Sequence, residues 1–133
     1  MNLIVDTNIV ISSLITPNSK NSKLIFRDLQ SSRLIAPTFM FDEILNKYQK
    51  IINITGYTDD QLKELLYLIL KRIDFINNDL IDLSFQKEAY FLVKEIDKTD
   101  LLFVALSLQT GFTLWTGDLK LSMGLKKKGF DNI

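Results

Sequence analysis

The sequence predicts an α/β sandwich with a mainly parallel central sheet flanked by helices, and three observations carry that prediction. Short continuous apolar runs at 3–5 (LIV), 34–36 (LIA) and 112–116 (FTLWT) have the character of strands buried on both faces. Segments of helical periodicity separate them, so strands and helices alternate. Acids stand immediately after two of the strands, where an open parallel sheet presents the carboxyl ends of its strands to ligand.

Taken in order, the first strand ends at Val5 and runs directly into Asp6-Thr7-Asn8. Residues 9–15 are apolar and begin a short helix capped by Asp6 or Thr7, which the TPNS loop at 16–19 ends. Residues 20–32 place Leu24, Ile25 and Leu29 on one helical face, and the second strand follows, completing a β-α-β unit. Pro37 and Thr38 open the next helix, Thr38 as its N-cap, with Met40, Phe41, Ile44, Leu45 and Tyr48 as an apolar face and Glu43 one turn in. After Gly56, Thr58 caps a helix with acids in its first turn, whose Leu62, Leu65, Leu66, Ile69 and Leu70 recur at helical spacing. Phe75 and Ile76 suggest a short strand, and residues 84–96 another helix with Phe85, Ala89, Leu92, Val93 and Ile96 inward.

The stretch 96–117, IDKTDLLFVALSLQTGFTLWTG, organises the rest: two acids three apart, a helix apolar on nearly every face, a glycine and a buried strand. Gln109, Thr110 and Gly111 divide its long uncharged run into helix, turn and strand, so it reads as core and not as a membrane span. A turn at 116–118 leads into a final helix over 119–128, and residues 130–133 suggest a short edge strand.

Composition narrows the chemistry. At 133 residues with 47% hydrophobic content, the chain is expected to form one domain over 1–133 with a real core. Lysine plus arginine and aspartate plus glutamate both total 16, so no net field attracts nucleic acid and any such binding must come from local patches. No basic segment precedes an apolar run at the N-terminus, which predicts a cytoplasmic protein without a signal peptide. With neither histidine nor cysteine, metal chemistry must use oxygen ligands, which suit Mg²⁺ or Mn²⁺.

Parallel topology brings four acids to one edge: Asp6 after the first strand, Glu43 in a helix, Asp100 at the start of the buried helix and Asp118 after a late strand. Packed carboxylates repel, and a divalent cation is the usual way to hold them ionised. Such a site activates water for in-line attack at phosphorus without histidine. Each acid alone has a plainer role: Asp6, Asp97 and Asp118 as helix N-caps, Glu43 as the i,i+4 partner of Lys47, Asp100 as a first-turn acid. The set carries the argument. Lys120 and the run Lys126-Lys127-Lys128 could reach phosphates, although a basic helix C-terminus also complements the helix dipole. Trp115 and Phe112 read as strand core.

On VDTN at 5–8, the acid Glu43 in the helix after APT, DLLFVALSL from Asp100, and LWTGD at 114–118, the chain resembles a PIN domain over its whole length. This is the nuclease fold of VapBC toxins and related RNA-processing enzymes. The resemblance implies a three-layer sandwich and a Mg²⁺- or Mn²⁺-dependent endoribonuclease acting on single-stranded RNA. It places Asp6, Glu43, Asp100 and Asp118 as metal ligands and catalytic acids, with Asn8 and Thr116 bracing them and Asp97 as an auxiliary acid. It further implies an antitoxin partner and a homodimer, for which the apolar helix carrying Tyr67 and Leu68 offers a surface. The late motif reads TGD where many such toxins have an asparagine before a further aspartate, closer to a PIN subgroup of less uniform cellular role. The alternatives are a housekeeping RNA-processing nuclease and a catalytically silent PIN-like module that binds RNA or protein through the same cleft. A phosphotransfer domain with an aspartyl nucleophile fits less well, because the first strand ends in DTN and not in DxD.

Overall fold

Strands β1 (Asn2–Val5), β2 (Arg33–Pro37), β3 (Asp74–Ile76) and β4 (Thr113–Trp115) form one sheet in the order β3-β2-β1-β4, with every ladder parallel. The computed structural model describes residues 1–133, the side chain of Asp28 excepted. Successive strands build outward from β1 to one side, and β4 then returns to its other side. The point where strand order reverses therefore lies between β1 and β4, where Val5 pairs with Trp115. In an open α/β sheet this is where a ligand crevice opens.

Seven α-helices flank the sheet among the described residues: α1 (Thr7–Ile15), α2 (Lys20–Lys23), α3 (Phe39–Thr55), α4 (Asp59–Leu70), α5 (Leu83–Val93), α6 (Leu101–Thr110) and α7 (Leu119–Lys127). α1 packs on α3 and α4, whereas α6 packs on β1, β2 and β4 and also against α5. That double contact explains why α6 is apolar almost all round: Phe103, Val104, Ala105 and Leu106 are all buried. Gly111 ends it in the left-handed conformation (φ 75°), which glycine adopts without the steric cost a side chain would add. α4 begins with a full capping box, in which Thr58 Oγ1 accepts from Gln61 N (3.1 Å) and Gln61 Oε1 accepts from Thr58 N (2.9 Å).

Several elements differ from the sequence expectation for identifiable reasons. The helix expected over 20–32 is α2 followed by a π-helical turn, Leu24–Asp28. Arg72 closes it by donating to the carbonyls of Leu29 (2.9 Å) and Ile25 (3.3 Å). Thr38 stands at the N-cap of α3 without capping it. Its hydroxyl accepts from Asn78 N (3.2 Å), and Asn78 Oδ1 accepts from Phe39 N (3.0 Å) in exchange. On α3, Met40, Ile44 and Ile51 face inward, which turns Leu45 out (69% exposed) and leaves Phe41 on the rim, stacked against Phe75 at 4.3 Å. Residues 130–133 form no strand. Leu114 N donates to Asn132 O (2.9 Å), but the Asn132 side chain, bonded to Thr113, Gly111 and Phe112, takes up the groups a further ladder would need. The turn after α5 approaches α7 closely: a Cβ on Gly124 would fall 2.5 Å from Ile96 Cδ1 and 2.9 Å from Cγ1.

No described helix is long and apolar enough to cross a membrane.

Candidate active site

At the carboxyl ends of β1 and β4, Asp6, Glu43, Asp97, Asp100 and Asp118 line one small cleft of about 200 Å³, together with Thr7, Asn8, Lys47 and Thr99. Strand β1 delivers Asp6 because the apolar run ends there and α1 begins at the next residue. Although Asp6 occupies the N-cap position of α1, its side chain makes no capping bond. Its Oδ2 instead accepts from Thr116 Oγ1 at 2.7 Å. Thr116 is the hub of this corner: its Oγ1 also accepts from Asp118 N (3.1 Å) and from Asn8 Nδ2 (3.4 Å). Asn8 and Thr116 therefore brace the acids by direct and indirect bonds.

Glu43 projects from the second turn of α3, and its Oε1 accepts the Thr7 hydroxyl at 2.7 Å. Asp118 divides its role, since Oδ1 caps α7 by accepting from Leu121 N (3.1 Å) while the residue lines the cleft. Asp97 is chiefly a cap: its Oδ1 accepts both the N–H (2.9 Å) and the hydroxyl (2.7 Å) of Thr99, and the residue is exposed. Asp100 is different. It is 8% exposed, and its Oδ2 is buried without a hydrogen-bond partner among the described residues.

Electrostatics follow from this crowding. Burial, and then repulsion from Asp6, Asp97, Asp118 and Glu43, pushes the Asp100 carboxyl up to about 8. Burial also raises Asp6, against the stabilising hydroxyl of Thr116, and raises Glu43, against that of Thr7. The two bonds from Thr99 hold Asp97 below the ordinary carboxylate range.

Among the described residues no three acids stand close enough together to hold a metal ion as they are placed. Protein donors already engage one oxygen each of Asp6, Glu43 and Asp118. The donor set still fits a hard divalent cation: it is all oxygen, its charges repel, and it contains one buried carboxylate oxygen with nothing to bond.

Sequence reasoning passed over three cleft residues, Thr7, Lys47 and Thr99. The i,i+4 spacing of Glu43 and Lys47 on α3 was the available signal, but the bond that Glu43 makes is to Thr7, and Lys47 lines the cleft as its basic side chain. Lys120 sits exposed in the first turn of α7, near enough to Asp97 to lower its pKa. Lys126 and Lys127 lie at the opposite end of that helix, and Lys128 donates to Phe91 O (2.9 Å).

The family model described as PIN domain matches residues 4–133. Among solved structures, the chain is similar to VapBC2 from Rickettsia felis, a structure described as bound to a DNA fragment from their promoter. The match has TM-score 0.72 and 17% identity and covers 100% of this chain and 96% of that one. At that identity the likeness is one of fold. No curated protein matches the sequence.

Proposed function

The chain belongs to the PIN domain family, and from that premise we propose that residues 1–133 form one metal-dependent endoribonuclease domain that cleaves single-stranded RNA, the toxin of a toxin–antitoxin pair. The observation that carries this reading is Asp100: a buried carboxylate with an orphaned oxygen, pushed up to about 8 by its burial and then by the repulsion of four further acids. Burying such a group is costly unless something neutralises it in the working state.

Asp6, Glu43, Asp100 and Asp118 would hold Mg²⁺ or Mn²⁺. Bound there, the ion supplies Lewis acidity, lowering the pKa of a water and neutralising charge that develops on the phosphate. The chain's own residues do the rest. Thr116 holds one oxygen of Asp6, and Thr7 one oxygen of Glu43, which would leave the other oxygen of each carboxylate for the ion. Asn8 steadies Thr116. Lys47 and Lys120, both near enough to Asp97 to lower its pKa, offset the cleft's negative charge toward an incoming polyanion. Their placement favours them over Lys126 and Lys127 as phosphate contacts.

A toxin role draws support from the similar fold described as VapBC2 on promoter DNA, and it implies an antitoxin as protein partner. The exposed Tyr67 and Leu68 on α4 support homodimerisation. A second reading, a silent RNA-binding module, draws on Asp118, whose Oδ1 is engaged as a helix cap. Cleavage of mixed single-stranded RNA in Mn²⁺, in Mg²⁺ and in EDTA, beside Asp100→Asn, tests the proposal. Metal-dependent cutting that the variant loses while remaining folded supports the nuclease. A folded wild-type protein that binds RNA in Mn²⁺ without cutting would favour the silent module.

A further inference from the structure

Next to the acid cleft lies a second cavity, of about 280 Å³, lined by Asn8, Ile9, Ser12, Asn21 and Gly117. Asn8 lines both, so the two are neighbours. Their chemistry is opposite. The cleft presents carboxylates and a lysine, whereas this cavity presents two amides and a hydroxyl around the apolar Ile9, with no charged side chain in its lining. A phosphate would find no cation here, but a neutral heterocycle would find hydrogen-bond partners. At this size, near the ~300 Å³ lower end of ligand pockets, it suits a single base.

The polar groups are not equally free. Ser12 Oγ donates to Ile9 O (3.0 Å) and accepts from Asn21 Nδ2 (2.9 Å). The Asn8 amide is engaged at 3.4 Å with both Thr116 and Gly117 N. Ser12 thus takes one N–H of the Asn21 amide, and the second N–H and the carbonyl oxygen have no partners among the described residues. A carboxamide with a donor and an acceptor to spare is the group that matches the N6/N7 edge of adenine. Gly117 adds an open lip, since a Cβ there would have only Ile9 Cδ1 for a neighbour, at 3.9 Å.

We infer that this cavity is a nucleobase subsite, in which Asn21 reads an adenine next to the phosphate held over the acid cleft. Single-stranded RNA is read in this way, by bases turned out of the stack and bonded along their edges. The subsite deepens the nuclease reading and rests on it for the phosphate's fate, but not for base-selective binding.

The test is equilibrium binding, by fluorescence anisotropy in Mn²⁺, of labelled 2′-O-methyl A, U and C hexanucleotides to the wild-type protein, Asn21→Ala and Asn21→Asp. Circular dichroism checks that each variant is folded. The wild-type protein should prefer the A hexamer by about fivefold or more. Asn21→Ala should erase the preference, and Asn21→Asp, which exchanges the free donor for an acceptor, should shift it toward C. Wild-type binding that is absent or indifferent to base, or a preference that survives Asn21→Ala, overturns the subsite. Adenine-selective binding lost in Asn21→Ala, in a protein that cuts no RNA, would uphold the subsite and overturn the nuclease reading alone.

Discussion

Thr116 Oγ1 donates to Asp6 Oδ2 at 2.7 Å, joining the ends of two adjacent strands that are 110 residues apart in sequence. The bond holds a buried carboxylate in one rotamer and partly offsets the cost of its burial. Thr116→Val keeps the shape and removes the donor. Mn²⁺ affinity, measured by isothermal titration calorimetry, should fall about tenfold or more, the usual effect of losing a ligand's outer partner. Stability should fall by about 1.5–3 kcal/mol, the range for a hydrogen bond to a charged group.

Asp100 makes the stability of the metal-free protein depend on pH. Its folded-state pKa, about 8, lies above the 3.8 of an unperturbed aspartate, so the folded chain holds a proton that the unfolded chain releases. Stability from this group is therefore greatest below about pH 4 and is lost as pH rises toward 8. Asp6 and Glu43, both raised, act in the same direction. Asp97, lowered, acts oppositely and only at acid pH, where its contribution disappears as pH falls through its folded value. Urea midpoints in EDTA should decline from pH 5.5 to 8.5, and more gently in Asp100→Asn.

Divalent cation should reverse that trend. Binding at these acids would displace the proton on Asp100, so titrating Mn²⁺ at pH 7 should release up to about one proton, seen as an enthalpy that varies with the buffer's ionisation heat. The rise in Tm produced by Mn²⁺ should be larger at pH 8 than at pH 6, where more protons compete. EDTA should abolish both effects.

The capping box of α4 offers a control remote from the cleft. Thr58→Ala removes the acceptor for Gln61 N and should cost about 1 kcal/mol, read as a lower urea midpoint with unchanged slope. Mn²⁺ affinity should stay at the wild-type value.

Much of this was legible in the sequence because parallel topology makes location follow from order. An apolar run that stops at Asp6, and another that stops two residues before Asp118, fix both acids at the same sheet edge without any distance information. The capping box at Thr58 and Gln61 was likewise local and readable. Glu43 lines the cleft, but its bond to Thr7 crosses from α3 to α1, and no spacing rule connects those residues. Asn78 donates to Thr38 over 40 positions and accepts from Phe39, and Arg72 reaches back to close the turn after α2; no spacing rule in the sequence shows either. The apolar face of α3 failed at Leu45 because Met40, Ile44 and Ile51 set its inward face, and Leu45 lies about 100° round the helix from Ile44. The strand expected at 130–133 failed because alternation cannot show that Asn132 uses its side chain where a strand would use its backbone.

Gly124 acts as a gauge block for the cleft. Asp118 stands about two turns before it on α7, and Ile96, the side chain against which Gly124 is seated, directly precedes Asp97 and leads into Asp100. The two walls of the cleft thus touch at a contact where no carboxylate is present. A methyl group added there would act as a shim against Ile96, whose side chain must turn aside or push back the segment that leads to Asp100, while every acid, threonine and lysine kept its identity.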